Sequence, residues 1–368
     1  MKLAALNQVK PNTRLAKPIY NDEGQALLQI GAYLTERVIA LLKEKGVSYV
    51  YIQYEGTEDI EVKDGIDPVI RKQSIKVIRE NFQAVSNSLA LKKTVDMDSV
   101  SESFSDIVTE VLNDVMNQKE AVSLLADVVC YDTYIFHHSL NVTIYSLSLG
   151  KALGLNQEEL HKLGLGALLH DIGKMSVSAN ILNKTEKLTN DEFDEIKKHT
   201  TLGFEILRKS HTLSLLTAHC AFQHHERLDG SGYPRQIKDK EIHPFAKIIG
   251  IVDVFDAVTS HRVYRPAMLP HEGLELLFSG AGTLFDRQMV DTFSKTVAIY
   301  PPGLEVSLNG GRSGVISAVN QSMPSRPTVR VMSEYGVKVT PYEVNLSEEL
   351  SSMIERCETT LEQRVTDI

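Results

Sequence analysis

A histidine and an aspartate stand side by side in His170-Asp171-Ile172-Gly173-Lys174, at the end of the apolar run Leu163 to Leu169. Such a pair at a helix end, followed by a Gly that stops the helix and a Lys that projects from the stop, can hold a metal and a phosphate oxygen together. All twelve histidines of the chain lie between His137 and His271. A single inward His is ordinarily a hydrogen-bonded core residue. A core accumulates many imidazoles and carboxylates only where something strongly positive offsets their desolvation.

The elements needed to aim these groups can be read from the spacing of apolar residues. Residues 121 to 298 read as consecutive helices. On the helix opened by the capping box Thr189 to Glu192, the stripe Phe193, Ile196, Gly203 and Ile206 carries His199 on its side. On the next, Leu213, Leu216 and Cys220 lead in register to His224, with His225 adjacent. On a later helix Ala246 and Ile249 lead to Asp253 and Asp256, three apart on one face.

The candidate metal ligands are therefore His138, His170, Asp171, His199, His224, His225 and Asp253. Seven such groups exceed the needs of one tetrahedral ion, whereas two ions bridged by Asp171 and a hydroxide would use them all. Nitrogen and oxygen donors without thiolate suit iron or manganese better than structural zinc. Asp256 is expected to orient a ligand or to substitute for Asp253. The remaining histidines (137, 161, 211, 219, 243, 261 and 271) are read as surface or supporting residues.

The run Glu226-Arg227-Leu228-Asp229-Gly230-Ser231-Gly232-Tyr233-Pro234 follows the His224-His225 pair directly. Its glycines and proline fix a tight loop at the mouth of the site, and Tyr233 supplies a ring on which a base could stack. Arg262 and Arg265 follow the Asp253 helix, and with Lys174 they offer three cations for phosphate.

The two long motifs, His170 to Lys174 and His224 to Pro234, resemble those of the HD-GYP family, metal phosphodiesterases that hydrolyse the bacterial messenger cyclic di-GMP. The match covers about 130 to 270. The resemblance implies that His138 (in His138-Ser139-Leu140-Asn141-Val142), His170, Asp171, His199, His224, His225 and Asp253 are metal ligands. It implies that Lys174 contacts phosphate and acts with Asp171 in catalysis, and that Tyr233, Arg262 and Arg265 meet the substrate. Some members place a Glu one turn before the first His to hold a third metal. Tyr134 stands there in this chain, so two metals are implied. The expected reaction is attack of a metal-bridging hydroxide on phosphorus, giving linear pGpG and possibly GMP. The alternatives are an HD-type phosphohydrolase acting on another nucleotide, such as cyclic GMP-AMP or a guanosine polyphosphate, and a non-catalytic cyclic di-GMP receptor.

Length and composition bound the rest. A chain of 368 residues, 42% hydrophobic and 24% charged, is expected to fold as two or three domains. Its net charge of -9 argues against a polymeric nucleic-acid partner, and the absence of a long apolar run or leader argues against membrane insertion or export. A cytoplasmic protein is expected. Cys130, Cys220 and Cys357 lack metal or disulfide spacing and read as reduced structural residues.

The expected fold is mainly α. An all-helical HD-type bundle (121–298) follows a small α/β N-terminal module (1–62) and a helical linker (63–120), and precedes a small β region (299–346) and a charged, helical tail (347–368). In the linker, Ile75, Ile78, Phe82, Val85 and Leu89, then Val100, Phe104, Ile107, Val111 and Val115, form apolar seams. They would serve an intramolecular hairpin or a dimer interface, and a homodimer is expected from them.

Overall fold

The computed structural model describes residues 1–20, 26–62, 65–117, 122, 134–182, 184, 186–260, 267–320, 322–357 and 359. Arg262, Arg265, Cys130, His261 and the side chain of Tyr134 lie outside the described residues.

The N-terminal unit contains β1 (Lys2–Ala5), β2 (Thr13–Arg14), β3 (Ile19–Tyr20), β4 (Ala26–Leu28), β5 (Tyr33–Leu34), α1 (Glu36–Glu44) and β6 (Tyr49–Ile52). Thr35 caps α1 by accepting from the Val38 amide, and Gly46 takes the turn after it at φ +79°. The strands pair antiparallel as β1 with β6, β2 with β5 and β3 with β4.

Two long helices follow, α2 (Pro68–Ala90) and α3 (Met97–Asn117). Asp67 caps α2 through the amides of Val69 and Ile70, and Pro68 occupies the first turn, where no amide donor is needed. The two seams are consumed within the chain. Ile75, Ile78, Phe82, Val85, Val100, Phe104, Ile107, Val111 and Val115 belong to one hydrophobic core with residues of the later helices. Phe82 meets Phe104 and Phe136 edge-on at 5.9 and 5.8 Å between ring centres. These side chains are covered within the chain, as the intramolecular hairpin of the two alternatives requires.

The bundle continues with α4 (Tyr134–Ala152), α5 (Gln157–Leu169), a 3-10 turn (Ile172–Ser176), α6 (Ala179–Leu182), α7 (Asn190–Lys197), α8 (His199–Leu207), α9 (Leu215–Gln223), a second 3-10 turn (Asp239–Glu241), α10 (Pro244–Thr259), α11 (Pro270–Ser279) and α12 (Arg287–Phe293). The reading of one helix from Thr189 through Ile206 is corrected. The chain kinks at Lys198, whose amide donates to the carbonyls of Glu195 and Ile196, and Phe193 on α7 is exposed while His199 on α8 is buried.

The C-terminal region is one antiparallel sheet of β7 (Glu305–Leu308), β8 (Arg312–Ala318), β9 (Thr328–Glu334), β10 (Val337–Asn345) and β11 (Ile354–Cys357), in the order β10-β9-β8-β7-β11. The helical tail expected over 347–368 is likewise corrected in its described part, 347–357, the residues from 360 on lying outside the described residues. Residues 354–357 form a strand beside β7, where Ile354 and Cys357 lie opposite Leu308 and Val306. This sheet and the N-terminal unit share a core of Leu3, Tyr49 and Tyr51 with Leu304, Val306 and Ile316. Arg330 on β9 fastens the two by a bidentate pair with Asp59, at 2.5 and 2.7 Å, and by donating to the Gly56 carbonyl.

Candidate metal centre

Five segments of the bundle bring the predicted donors to one interior. His138 lies near the start of α4, and His170 and Asp171 at the end of α5. His199 opens α8, His224 and His225 follow α9, and Asp253 sits on α10. The donors sort into two groups whose ligand atoms lie within 4.8 Å of one another: His138, His170 and Asp171, and then His199, His224 and His225. Two carboxylates join the groups. Asp171 Oδ2 is 3.5 Å from His138 Nε2 and 3.3 Å from His170 Nε2, while its Oδ1 is 3.4 Å from His199 Nε2 and 4.0 Å from His224 Nε2. Asp253 places Oδ1 3.1 Å from His138 Nε2 and Oδ2 3.8 Å from His225 Nδ1.

The outer nitrogens of four rings are fixed. His170 Nδ1 donates to the Ala167 carbonyl and His199 Nδ1 to Ile196, both at 2.7 Å, and His224 Nδ1 donates to the carbonyls of Cys220 and Ala221. His138 Nδ1 instead donates to Asp256 Oδ2 at 2.7 Å. Each bond leaves Nε2 directed inward, the arrangement by which a protein orients an imidazole toward a metal. His170 Nε2 and Asp171 Oδ1 are fully buried without a hydrogen-bond partner. Orphaned donors of this kind, in a carboxylate and imidazole set without thiolate, fit divalent cations.

Charge follows the same division. Burial pushes His199 down to about 4, and burial with neighbouring rings holds His224 and His225 well below the usual imidazole range. Burial also works against a charge on His138, but the carboxylates of Asp253 and Asp256 outweigh it and raise this ring to about 9. For Asp171, burial opposes the carboxylate, yet Lys174 and His170 keep it well below its usual range. Asp253 is held low against burial by His138 and His225.

Two glycines allow the close packing. Gly173 does not stop α5 by a left-handed turn as its position suggested; it lies inside the 3-10 turn, where a Cβ would come 1.9 Å from the His199 carbonyl. Gly232 lies in the loop after His225, where a Cβ would come 2.4 Å from the His225 carbonyl. That loop brings the Tyr233 ring against His225, stacked at 4.6 Å between centres. Lys174 Nζ reaches Asp171 Oδ2 at 2.5 Å. Asn141 escaped the sequence reading; it donates to Asp256 Oδ1 at 3.0 Å, and its place three residues after His138, on the same helical face, was the available signal.

A model of the HD domain matches residues 104–289, and a model of the KOW domain associated with the HD domain matches 305–363. The chain is 35% identical over 235 residues to the cyclic di-GMP phosphodiesterase PA4108 of Pseudomonas aeruginosa, covering 64% of this chain and 56% of that protein. It is 31% identical to a cyclic di-GMP phosphodiesterase of Thermotoga maritima, over 75% of this chain and 80% of the relative. The chain belongs to the HD domain family, in its HD-GYP group. A 3'3'-cGAMP-specific phosphodiesterase of Vibrio cholerae is 34% identical over 46% of this chain and 36% of that protein. The HD-GYP chain thus spans little more than half the length of PA4108 and most of the Thermotoga protein. Among the described residues, no helix is long and apolar enough to cross a membrane.

Proposed function

We propose that this chain is a cytoplasmic, metal-dependent phosphodiesterase that hydrolyses cyclic di-GMP to linear pGpG. The observation that carries the reading is the paired donor set bridged by Asp171 and Asp253, in a chain whose HD-GYP relatives include cyclic di-GMP phosphodiesterases. His138, His170 and Asp171 would hold one ion and His199, His224 and His225 the other, with Asp171 and Asp253 facing both. Iron or manganese suits these donors. Such ions supply Lewis-acid polarisation of phosphate and activation of water at neutral pH.

The chain's own groups have separate tasks. Lys174, ion-paired to Asp171 at the edge of the centre and about one-fifth exposed, can pivot its ammonium to a phosphate oxygen and oppose the charge gained in reaction. Tyr233, one face against His225, forms a wall beside the donors. Arg262 and Arg265 are assigned to the outer phosphate. Anaerobic purification, elemental analysis and chromatography of products after incubation with cyclic di-GMP test the reading, with two ions per chain and pGpG expected. A protein that binds one or three ions, or leaves cyclic di-GMP intact, overturns it.

The similarity to a 3'3'-cGAMP-specific enzyme supports a second reading, a preference for the mixed cyclic dinucleotide. Arg262→Ala should raise KM for cyclic di-GMP with little change in kcat, because a contact made equally before and during reaction contributes only to binding. Faster turnover of cyclic GMP-AMP by the natural sequence would favour the second reading.

A further inference from the structure

A hydrogen-bonded chain leaves the metal centre in the direction of α2. His138 Nδ1 donates to Asp256 Oδ2 at 2.7 Å, and Asp256 Oδ1 accepts from Asn141 Nδ2 and from Ser260 Oγ, both at 3.0 Å. Asn141 Oδ1 in turn accepts from Arg71 Nη1 at 3.2 Å. The residue types dictate the sense of each link. A guanidinium only donates and a carboxylate only accepts, so the amide between them must turn its oxygen to Arg71 and its nitrogen to Asp256. The rotamer of Asn141 is therefore held from both ends, by Asp256 and by a cation one turn into α2.

Arg71 lies outside residues 104–289 that match the HD domain. It follows by four residues the cap Asp67, at which the chain from the N-terminal unit enters the bundle, and Asp67 is itself tied to α3 through its amide and Asp114 Oδ2. We infer that Arg71 is a positioning residue that acts through Asn141 and Asp256 to aim His138 into the centre, so that the start of α2 sets the strength of one metal position. The inference rests on the reading of His138 as a ligand. Without Arg71 the Asn141 amide keeps its bond to Asp256 but loses the anchor on its oxygen, so the carboxylate is braced less firmly and has latitude to draw the His138 ring out of line. In the other donor group, His199 and His224, held by the carbonyls of Ile196, Cys220 and Ala221, have no such connection among the described residues.

The test is a double-mutant cycle read by metal titration of the full chain, starting from metal-free protein, with manganese as the probe. Asn141→Leu, which strips a donor from the carboxylate that holds the His138 ring, is expected to weaken one of two binding steps by about 10-fold, the lower end of the usual loss at an outer partner of a ligating imidazole. Arg71→Met, one link further out, should weaken the same step by about 3-fold or more and leave the other step unchanged. The double variant should be no weaker at that step than Asn141→Leu alone, because the link from Arg71 to Asp256 runs through the amide. Equal affinities in Arg71→Met and the natural chain, equal weakening of both steps, or additive effects in the double variant would each overturn the inference. Thermal melting of the metal-free variants checks the fold. Should Arg71→Met not fold, Arg71→Gln, which keeps a donor amide without the charge, is expected to retain affinity closer to the natural value, and a loss of both steps together would refute the coupling. If the natural chain takes up no manganese at all, the ligand reading itself fails, and that result is distinct from a cycle that shows no coupling.

Discussion

The two donor groups are built from nearly the same side chains, and His170, His199 and His224 are held alike by backbone carbonyls, whereas His138 is held by a carboxylate. His199 and His224 donate their outer N–H to carbonyls of the turn behind them, so their orientation is a property of backbone and their rings are neutral well below pH 7. His138 donates to a carboxylate on another helix, faces a second carboxylate, and carries a proton up to about pH 9 in the metal-free protein. One position is therefore preorganised and empty of protons, while the other must exchange a proton for its ion. Two ions of one element would on this basis bind unequally, first at His199, His224 and His225.

The comparison can be broken most severely at the group the two halves share. Asp171→Ala should abolish turnover, by at least about 10³-fold, more than the loss of a single preorganised donor usually costs. It should also lower metal content at both positions while circular dichroism remains that of the natural protein. Retained hydrolysis with two ions bound would remove Asp171 from the centre. A smaller and one-sided effect is expected of Asp256→Asn, which weakens the hydrogen bond on His138 only. One binding step should lose about 10- to 100-fold in affinity and the other none, as measured by equilibrium dialysis against manganese.

Proton release sharpens the contrast further. Filling the His138 position at pH 7.5 should release about one proton, because a ligating nitrogen must be deprotonated, whereas filling the other position should release almost none. Calorimetry in buffers of different ionisation enthalpy reads both steps. The metal-free protein gives a companion result. The folded pKa of His138, about 9, stands above the unfolded value of about 6.5. Its contribution to stability is thus complete below about pH 6.5 and lost as pH rises through 9. Melting temperature should fall across that window, and less steeply in Asp256→Asn. The smallest effect is expected behind His224. Burial pushes the Cys220 thiol up to about 12, so iodoacetamide at pH 8 should leave it unmodified in the folded protein, as read by mass spectrometry of the peptide.

Much of this centre was legible in the sequence because its chemistry is carried by residue type. Seven imidazoles and carboxylates on inward faces are costly unless they share a purpose, and all seven converge. What spacing could not supply was the geometry between helices. The apolar period continues across Lys198, so the kink that separates α7 from α8 leaves no mark in the pattern. The seams on α2 and α3 were visible, but an apolar stripe has the same period whether it meets its own chain or another. The strand at 354–357 was hidden because Glu355 and Arg356, both exposed, interrupt the short apolar signal of Ile354 and Cys357.

The contact at Gly173 has a mechanical meaning. Backbone touches backbone there: the 3-10 turn that carries Asp171 at its entrance lies directly on the first turn of α8, which carries His199, and Gly203 on α8 faces the same glycine. The gap between one donor from each half is thereby gauged by main chain and is insensitive to how nearby side chains repack. A helix movement arriving from elsewhere can tilt an individual ring, but it cannot widen the spacing of the pair without first prying two main-chain segments apart. The centre behaves as a fixed calliper with one adjustable jaw, and the adjustable side is the one that His138 occupies.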